Sequence, residues 1–264
     1  MKLFLLLSGL CAFAALSLFA PSARADFASC VSSLRADAAR SGISARTLDI
    51  AFNRLEPDAK VLDFQKQQPE FKTPVWDYVD GLVDDQRVAD GKAAMAREGR
   101  ALARAEEKYG VSRTMLAAIW GVESNFGQEM GKRPLVQSLT TLACMGDRAN
   151  YFRSELMATL KIIDRGDVPA DKLNGSWAGA FGQTQFMPST FLRLAVDFEG
   201  DGRRDIVDSA PDALASTANY LRKSGWRPGI PWGFEVKLPE AYSGPSGRKA
   251  KQSMSFWAAL GVTR

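Results

Sequence analysis

Glu123 is the residue of this sequence best suited to acid–base chemistry. The chain of 264 residues contains no histidine, which excludes Ser-His pairs, Cys-His pairs and histidine-ligated zinc. Acid–base catalysis near neutral pH must then come from a carboxyl, Lys, Tyr or Cys group whose pKa is shifted by its surroundings. A buried glutamate is the simplest such group, because desolvation raises its pKa and lets it act as an acid.

The spacing around Glu123 predicts that it lies on the apolar face of a helix. A helix over residues 113–124, with Ser112 as its N-cap, places Leu116, Ile119 and Glu123 on one face. A carboxyl on such a face is costly unless it is used or satisfied. Periodicity alone leaves two interpretations open: a catalytic acid, or a structural Glu bonded to backbone amides or an Arg.

A second segment, residues 175–189, interleaves glycines with amides, hydroxyls and aromatic rings (GSWAGAFGQTQFMPS). Glycines permit close approach of the backbone and unusual dihedral angles. The polar and aromatic groups suit a neutral polar polymer such as a sugar chain. The alternative is a tight connector between two packed helices.

A third segment, residues 197–208 (DFEGDGRRDIVD), has the spacing of a calcium-binding loop. Its oxygen ligands would be the side chains of Asp197, Glu199, Asp201 and Asp208 and the carbonyl of Arg203. The loop ends on Asp instead of the longer Glu, and Arg204 stands where an apolar residue is usual. The sequence predicts a structural Ca²⁺ (or Na⁺) here, with a solvated acidic turn as the alternative.

The periodicity of the rest of the chain predicts a mainly α protein with little β structure. Helices are expected over 28–40, 44–55, 76–83, 87–108, 113–124, 148–163, 188–196 and 211–223. Residues 232–238 alternate enough to predict one short strand.

The N-terminus predicts export. An apolar run from Leu3 to Ala20 is followed by Ala23-Arg24-Ala25, which is typical of a signal peptide over residues 1–25 with cleavage after Ala25. The alternatives are a membrane-spanning helix, for which the run is short, and a lipoprotein at Cys11, which the preceding Leu10 disfavours.

The net charge bears on which partners the protein can bind, and the cysteine content bears on its redox compartment. The net charge of +4 is too small and too dispersed to indicate nucleic-acid binding. Export would leave Cys30 and Cys144, and it would permit a disulfide between them. The sequence leaves open whether they pair or remain as two buried thiols.

Four motifs in order resemble the membrane-bound lytic transglycosylase B family of bacterial cell-wall enzymes, a lysozyme-like group. They are residues 118–127, residues 176–189, the acidic loop and the run 218–221 (ANYL). Residues 68–71 and 76–78 extend the resemblance over nearly all of 26–264. It implies a lysozyme-like transglycosylase fold with an additional helical subdomain, a periplasmic location, and a monomer acting on peptidoglycan glycan strands. Other cell-wall enzymes are further candidate partners.

The resemblance also implies roles for single residues. Glu123 takes the position of the family's single catalytic acid and base, which cleaves the β-1,4 bond between N-acetylmuramic acid and N-acetylglucosamine and leaves a 1,6-anhydro ring. Ser176, Gln185, Tyr220 and Arg148 match sugar-contacting positions. Asp197, Glu199, Asp201, Arg203 and Asp208 match the cation loop, and the chemistry itself needs no cofactor.

Two other functions stay open from the sequence. Longer members of the family carry a Tyr-Asn segment and a C-terminal wall-binding domain, and neither has an equivalent in this sequence. A glycan-binding scaffold on the same fold is therefore one alternative. A lysozyme-type hydrolase is the other, and it would need a second carboxylate near Glu123.

Overall fold

The computed structural model describes residues 20–66, 73–231, 233–247 and 249–264. Most of the predicted signal peptide and the run 68–71 lie outside these ranges. The described residues are mainly helical with very little strand, which confirms the predicted fold class. The chain divides after Trp226 into two compact units, 1–226 and 227–264.

The first unit contains most of the regular structure. Its helices are α1 (Ala20–Arg40), α2 (Ala45–Ala51), α3 (Ala59–Lys66), α4 (Val75–Leu82), α5 (Asp85–Arg97), α6 (Gly99–Tyr109), α7 (Arg113–Ser124), α8 (Leu135–Met145), α9 (Ala149–Arg165), α10 (Pro188–Leu194) and α11 (Ala210–Lys223). Two short strands, β1 (Arg133–Pro134) and β2 (Asn174–Gly175), pair antiparallel.

Side-chain caps begin several of these helices. Ser44, Asp84, Ser112 and Ser209 each accept a hydrogen bond from the backbone N–H three residues on. This bond satisfies one of the amides that a helix start leaves without a partner. The predicted cap at Ser112 and the predicted helix 113–124 are both confirmed.

Two apolar clusters form the core of the first unit. The first includes buried residues of α1, α2, α8, α9 and α10, such as Leu139 and Leu156. The second includes buried residues of α5, α6, α7 and α11, such as Leu102 and Trp120. The segment between β2 and α10 adds Phe181 and Phe186 to the first cluster.

A disulfide joins Cys30 of α1 to Cys144 of α8, with a Cα–Cα distance of 5.9 Å. The structure thus resolves the question that the sequence left open. The bond closes a loop across 114 residues and ties the first helix to the first apolar cluster.

The single helix predicted over 87–108 is wrong, because the structure has two helices there. Glu98 ends α5 with φ −96° and ψ 18° and also stands at the start of α6. Both halves are rich in helix-forming residues, so helix propensity gives little sign of the break. The two helices bury different residues, Ala94 in α5 and Leu102 in α6 among them.

The strand predicted over 232–238 is also wrong. Within the described residues 233–238, only Lys237 pairs, in a single antiparallel bridge with Thr263. Phe234, Val236 and Leu238 are 40%, 45% and 57% exposed, so this run has no core against which a strand face could be buried.

The second unit also holds α12 (Met254–Ala259), which is capped by Ser253. None of the described helices is both long enough and apolar enough to cross a membrane.

Candidate active site

Glu123 lies in the last turn of α7, and the end of this helix is held in an unusual geometry. Asn125 and Phe126 follow with φ of +48° and +58°, in the left-handed region. Packing holds Phe126 there: its ring meets that of Trp120 edge-on at 5.6 Å between centroids. A Cβ on Gly121 would lie 2.6 Å from Phe126 Cζ, so glycine is needed for this close approach. The surrounding contacts therefore fix where the helix ends.

Glu123 opens onto a cleft of about 330 Å³. Ile119 and Glu123 of α7 form one side, residues 184–187 another, and Thr217, Tyr220 and Leu221 of α11 a third. Among the residues that line this cleft in the described part of the chain, Glu123 carries the only carboxyl group. Within the described part of the chain, an acid–base step in the cleft that uses a carboxyl must therefore use Glu123.

The surroundings of Glu123 differ in part from the sequence expectation. Leu116 is fully buried and Ile119 is half-buried, as the helical phase predicts, but Glu123 is exposed. Its side chain faces a concave surface, and partial desolvation there raises the pKa of the carboxyl above its usual value. The direction is the one that a general acid needs.

Gln185 lies in the same cleft, on a tightly folded segment. Phe181 pairs with both Gly175 and Phe186, which brings the chain back on itself before α10. Gln185 has φ +50°. Its Nε2 donates to the carbonyls of Gly182 at 2.8 Å and Met130 at 3.1 Å, so its side chain is fixed against the cleft wall.

Ser176 closes the turn that precedes this segment. Its N–H donates to the Ala180 carbonyl at 2.8 Å, and its Oγ accepts the Ala180 N–H at 3.0 Å. Ser176 is half-buried and is not among the residues that line the cleft around Glu123. The structure thus gives it a part in shaping the segment that carries Gln185.

Tyr220 projects from α11 into the cleft and is 38% exposed. Arg148 lies elsewhere, directly before α9, where its guanidinium stacks over the rings of Tyr151 at 4.4 Å and Phe152 at 5.3 Å. Of the four predicted sugar contacts, the structure therefore brings Gln185 and Tyr220 together with Glu123, whereas Ser176 and Arg148 lie outside the cleft lining.

The acidic loop is organised by its own hydrogen bonds. Both carboxylate oxygens of Asp197 accept backbone N–H groups, from Gly200 at 2.6 Å, Gly202 at 2.8 Å and Asp201 at 3.2 Å. These bonds, that of Gly202 first, lower the pKa of Asp197. The Asp201 carboxylate accepts the N–H of Arg203 at 2.9 Å.

The remaining predicted ligands of the loop have other partners. Glu199 accepts the Ser209 hydroxyl at 2.8 Å, and Asp208 is ion-paired with Lys172. Across the described residues, no three acidic or cysteine side chains converge to hold a metal ion. The structure thus places the five predicted ligands in one loop but does not gather their oxygens around one point.

Asp212, which the sequence did not single out, anchors this loop to α11. Its carboxylate accepts the N–H groups of Phe198 and Asp205, each at 2.8 Å. Asp212 is 2% exposed, and desolvation raises its pKa although these bonds oppose the rise. Its position three residues after the N-cap Ser209 was the available sequence signal, because acids favour the first turn of a helix.

Residues 26–264 match the model of the transglycosylase SLT domain family. The chain belongs to this family. The match confirms the resemblance found in the sequence, and it covers the helix that carries Glu123, the segment of Gln185 and the acidic loop.

Characterised relatives agree with the family assignment. Membrane-bound lytic murein transglycosylase B of Escherichia coli (strain K12) is 36% identical over 218 residues, which are 80% of this chain and 60% of the relative. SltB3 from Pseudomonas aeruginosa, in complex with NAG-NAM-pentapeptide, matches with a TM-score of 0.85 and 46% identity. That match covers 89% of this chain and 63% of SltB3.

A third relative is in complex with a metal ion. The Escherichia coli lytic transglycosylase SLT35, in complex with calcium, has 32% identity and a TM-score of 0.78 over 91% of this chain and 75% of its own. These matches confirm the transglycosylase fold. This chain spans about three fifths of the length of the E. coli and P. aeruginosa relatives named first.

Sequence reasoning missed several polar residues of the cleft wall. Thr184 and Thr217 line it and are 5% and 2% exposed. Thr217 donates to the Ala213 carbonyl at 2.9 Å, whereas the Thr184 hydroxyl has no partner among the described residues. Thr184 stands between Gln183 and Gln185. The polar composition of residues 175–189 was the only sequence signal that could have pointed to Thr184.

Proposed function

We propose that this protein is a peptidoglycan lytic transglycosylase with residues 26–264 as its catalytic domain. It cleaves the β-1,4 bond between N-acetylmuramic acid and N-acetylglucosamine and leaves a 1,6-anhydromuramoyl product. The observation that carries this proposal is that Glu123 has the one carboxyl among the described residues that line its cleft, with a pKa raised by partial desolvation. Membership of the transglycosylase family supports the same reaction.

One carboxyl group serves both proton transfers in this reaction. Neutral Glu123 donates its proton to the glycosidic oxygen as the bond from C1 to that oxygen breaks. The resulting carboxylate then accepts the proton of the muramic C6 hydroxyl, whose oxygen forms the new bond to C1. Glu123 returns to its neutral form and no water is consumed.

The absence of a second carboxyl from the described cleft lining argues against a lysozyme-type hydrolase. Glycosidases that hydrolyse by the usual routes need two carboxyl groups within about 5–10 Å of each other. In the proposed reaction the substrate's acetamido group takes the second role. The cleft needs only to hold the sugar against Glu123.

Gln185 and Tyr220 are the proposed sugar contacts nearest to Glu123. Gln185 uses its Nε2 on two carbonyls, so within the described part of the chain its Oε1 is the atom left to accept a hydrogen bond from the sugar. The Tyr220 ring offers an apolar face with a polar tip. Ser176 and Arg148 would act farther along the glycan strand.

The relatives support the substrate class. SltB3 is in complex with NAG-NAM-pentapeptide, and SLT35 with bulgecin A in a further structure. By analogy, glycan strands of peptidoglycan are the proposed partner here, bound by a monomeric enzyme in the periplasm after cleavage of the predicted signal peptide.

A structural Ca²⁺ in the acidic loop is the proposed cofactor. Its donors are hard oxygens, the carboxylates of Asp197, Glu199, Asp201 and Asp208 and the carbonyl of Arg203, which suit this ion. The amides gathered around Asp197 already curve the loop about that carboxylate. Asp208 would have to exchange Lys172 for the ion. When bound, the cation would stabilise the conformation of the loop, and Glu123 would carry out the acid–base chemistry.

Digestion of purified sacculi tests the proposed activity. The expected products are muropeptides one water lighter than hydrolytic ones, as read by mass spectrometry. Products with ordinary reducing ends would instead indicate a hydrolase. Binding to sacculi without released sugar would indicate the glycan-binding scaffold, and either result would overturn the proposal.

A further inference from the structure

Gln183 is the point at which three segments around the cleft are joined. It is 7% exposed and is not itself among the residues that line the cleft. Its carbonyl accepts the Ser124 hydroxyl at 2.5 Å. Its N–H donates to the Ile206 carbonyl at 2.9 Å, and its side-chain Nε2 donates to the Val207 carbonyl at 3.0 Å.

Ser124 carries the connection to the end of α7. It follows Glu123 directly, is 2% exposed, and its Oγ also accepts the Gly127 N–H at 2.9 Å. The Ser124 carbonyl accepts the N–H of Glu129 at 2.8 Å. A Cβ on Gly127 would lie 2.9 Å from Gln183 Oε1, so the Gln183 side chain packs directly against this turn.

The stretch on the other side of Gln183 is tied to α11. Asp205 Oδ1 accepts the N–H groups of Val207 and Asp208, each at 2.9 Å. The N–H of Asp205 in turn donates to Asp212 of α11 at 2.8 Å. The α11 helix carries Tyr220 into the cleft. Gln183 thus connects, through buried hydrogen bonds, the three elements that form the walls of the cleft.

We propose that Gln183 is a positioning residue, which holds the Glu123 end of α7 in register with Gln185 and with the 205–208 stretch. This inference rests on the proposed function, because the register matters for catalysis only if Glu123 is the acid and base. Gln183 stands two residues before Gln185 and is bonded to the residue after Glu123, so its displacement moves both groups relative to each other.

A pair of matched substitutions tests this role. Gln183→Met keeps the length of the side chain and removes its donation to Val207. Gln137→Met is the control, because Gln137 of α8 also donates its Nε2 to a backbone carbonyl, that of Glu56 at 3.0 Å, away from the cleft. Each variant loses one side-chain donation to a backbone carbonyl, which is buried at Gln183 and exposed at Gln137.

Amide hydrogen exchange reads the local effect without any need for activity. In Gln183→Met, exchange over residues 205–208, which lose the donation to Val207, and over residues 124–129, against which the side chain packs, is expected to accelerate by about tenfold or more, with the α8 and α9 amides unchanged. Acceleration spread evenly over the first unit, or none in these two segments, would overturn the proposal. If Gln183→Met does not fold, Ser124→Ala with the control Ser154→Ala replaces the pair, since Ser154 donates to the Asn150 carbonyl at 3.0 Å.

Kinetics on a soluble glycan substrate read the functional effect. Gln183→Met is expected to lower kcat by about tenfold with KM nearly unchanged, because misplacement of a catalytic group mainly affects the transition state. Gln137→Met should keep wild-type kcat. Local loosening with an unchanged kcat, or a raised KM alone, would overturn the positioning role. A wild-type enzyme that releases no anhydro product would overturn the proposed function instead, and the exchange experiment would still decide whether Gln183 holds the two segments.

Discussion

The rings of Phe186 and Tyr220 lie 5.8 Å apart, at 55° to each other, at the cleft that Glu123 enters. Phe186 belongs to the first apolar cluster, and Tyr220 lies on α11, whose buried residues belong to both clusters. This contact therefore ties the cleft wall formed by residues 184–187 to the wall formed by α11.

Replacement of Tyr220 should impair substrate binding more than it impairs folding. Tyr220→Ala is expected to raise KM by about two- to tenfold, because an aromatic contact contributes roughly 0.5–1.5 kcal/mol. Tyr220→Phe keeps the ring and should stay near wild type if the ring face binds the sugar. Steady-state kinetics on the three proteins check this, and an unchanged KM in Tyr220→Ala would remove Tyr220 from the substrate site.

Glu123→Gln should stabilise the protein at neutral pH. Partial desolvation in the cleft raises the pKa of Glu123 in the folded state, so the folded protein binds the proton more tightly than the unfolded chain. The stability of the wild type therefore falls as pH rises from the unfolded pKa through the folded one. The amide cannot ionise and escapes this loss.

Thermal unfolding from pH 3 to pH 8 measures the effect. The Tm of Glu123→Gln should exceed that of the wild type at pH 7, and the difference should shrink below about pH 4, where the carboxyl is neutral in both states. Equal Tm differences at every pH would contradict a raised pKa at Glu123.

Reduction of the Cys30–Cys144 disulfide should lower stability substantially. The bond spans 114 residues. The loop-entropy model gives about 4–5 kcal/mol for loops of this length. Denaturant unfolding with and without reductant checks this, and a Cys30→Ser/Cys144→Ser variant, which should be insensitive to reductant, is the control. A wild type whose midpoint does not respond to complete reduction would contradict the expectation.

Calcium should raise the melting temperature through the acidic loop. An ion that binds only the folded state stabilises it by about 2.7 kcal/mol at a hundredfold excess over Kd. The wild type should melt higher in calcium than in chelator, whereas Asp201→Asn should lose most of that difference. Asp171→Asn, an exposed acid outside the loop, should keep it. Identical curves for the wild type in calcium and chelator would reject the site.

Local signals in the sequence predicted the helix that carries Glu123 well. Ser112 supplies the cap, the apolar spacing gives the length, and the structure has the predicted bounds 113–124. The exposure of Glu123 could not be predicted in this way. Helical phase places Glu123 on the same face of α7 as Leu116 and Ile119. The cleft in front of that face is formed with α11 and residues 184–187, which are remote from α7 in the sequence.

Long-range packing explains the other differences. The break at Glu98 separates two stretches of equal helix propensity, and only their different partners reveal it. The family motifs pointed to Ser176, Gln185, Tyr220 and Arg148 together, but which of them share a cleft with Glu123 depends on how remote segments pack. The Ser124–Gln183 hydrogen bond likewise joins residues that are 59 positions apart, so local sequence patterns could not predict it.

The most direct test of the account compares Glu123→Gln with Glu129→Gln on purified sacculi, with released muropeptides quantified by mass spectrometry. Glu129 is an exposed carboxylate six residues farther along the chain, outside the cleft lining. Glu123→Gln is expected to release about 100- to 10,000-fold less anhydro product, because this is the usual contribution of a general acid–base group. Glu129→Gln is expected to release as much as the wild type. Undiminished release of anhydro product by Glu123→Gln would contradict the assignment of the single acid and base.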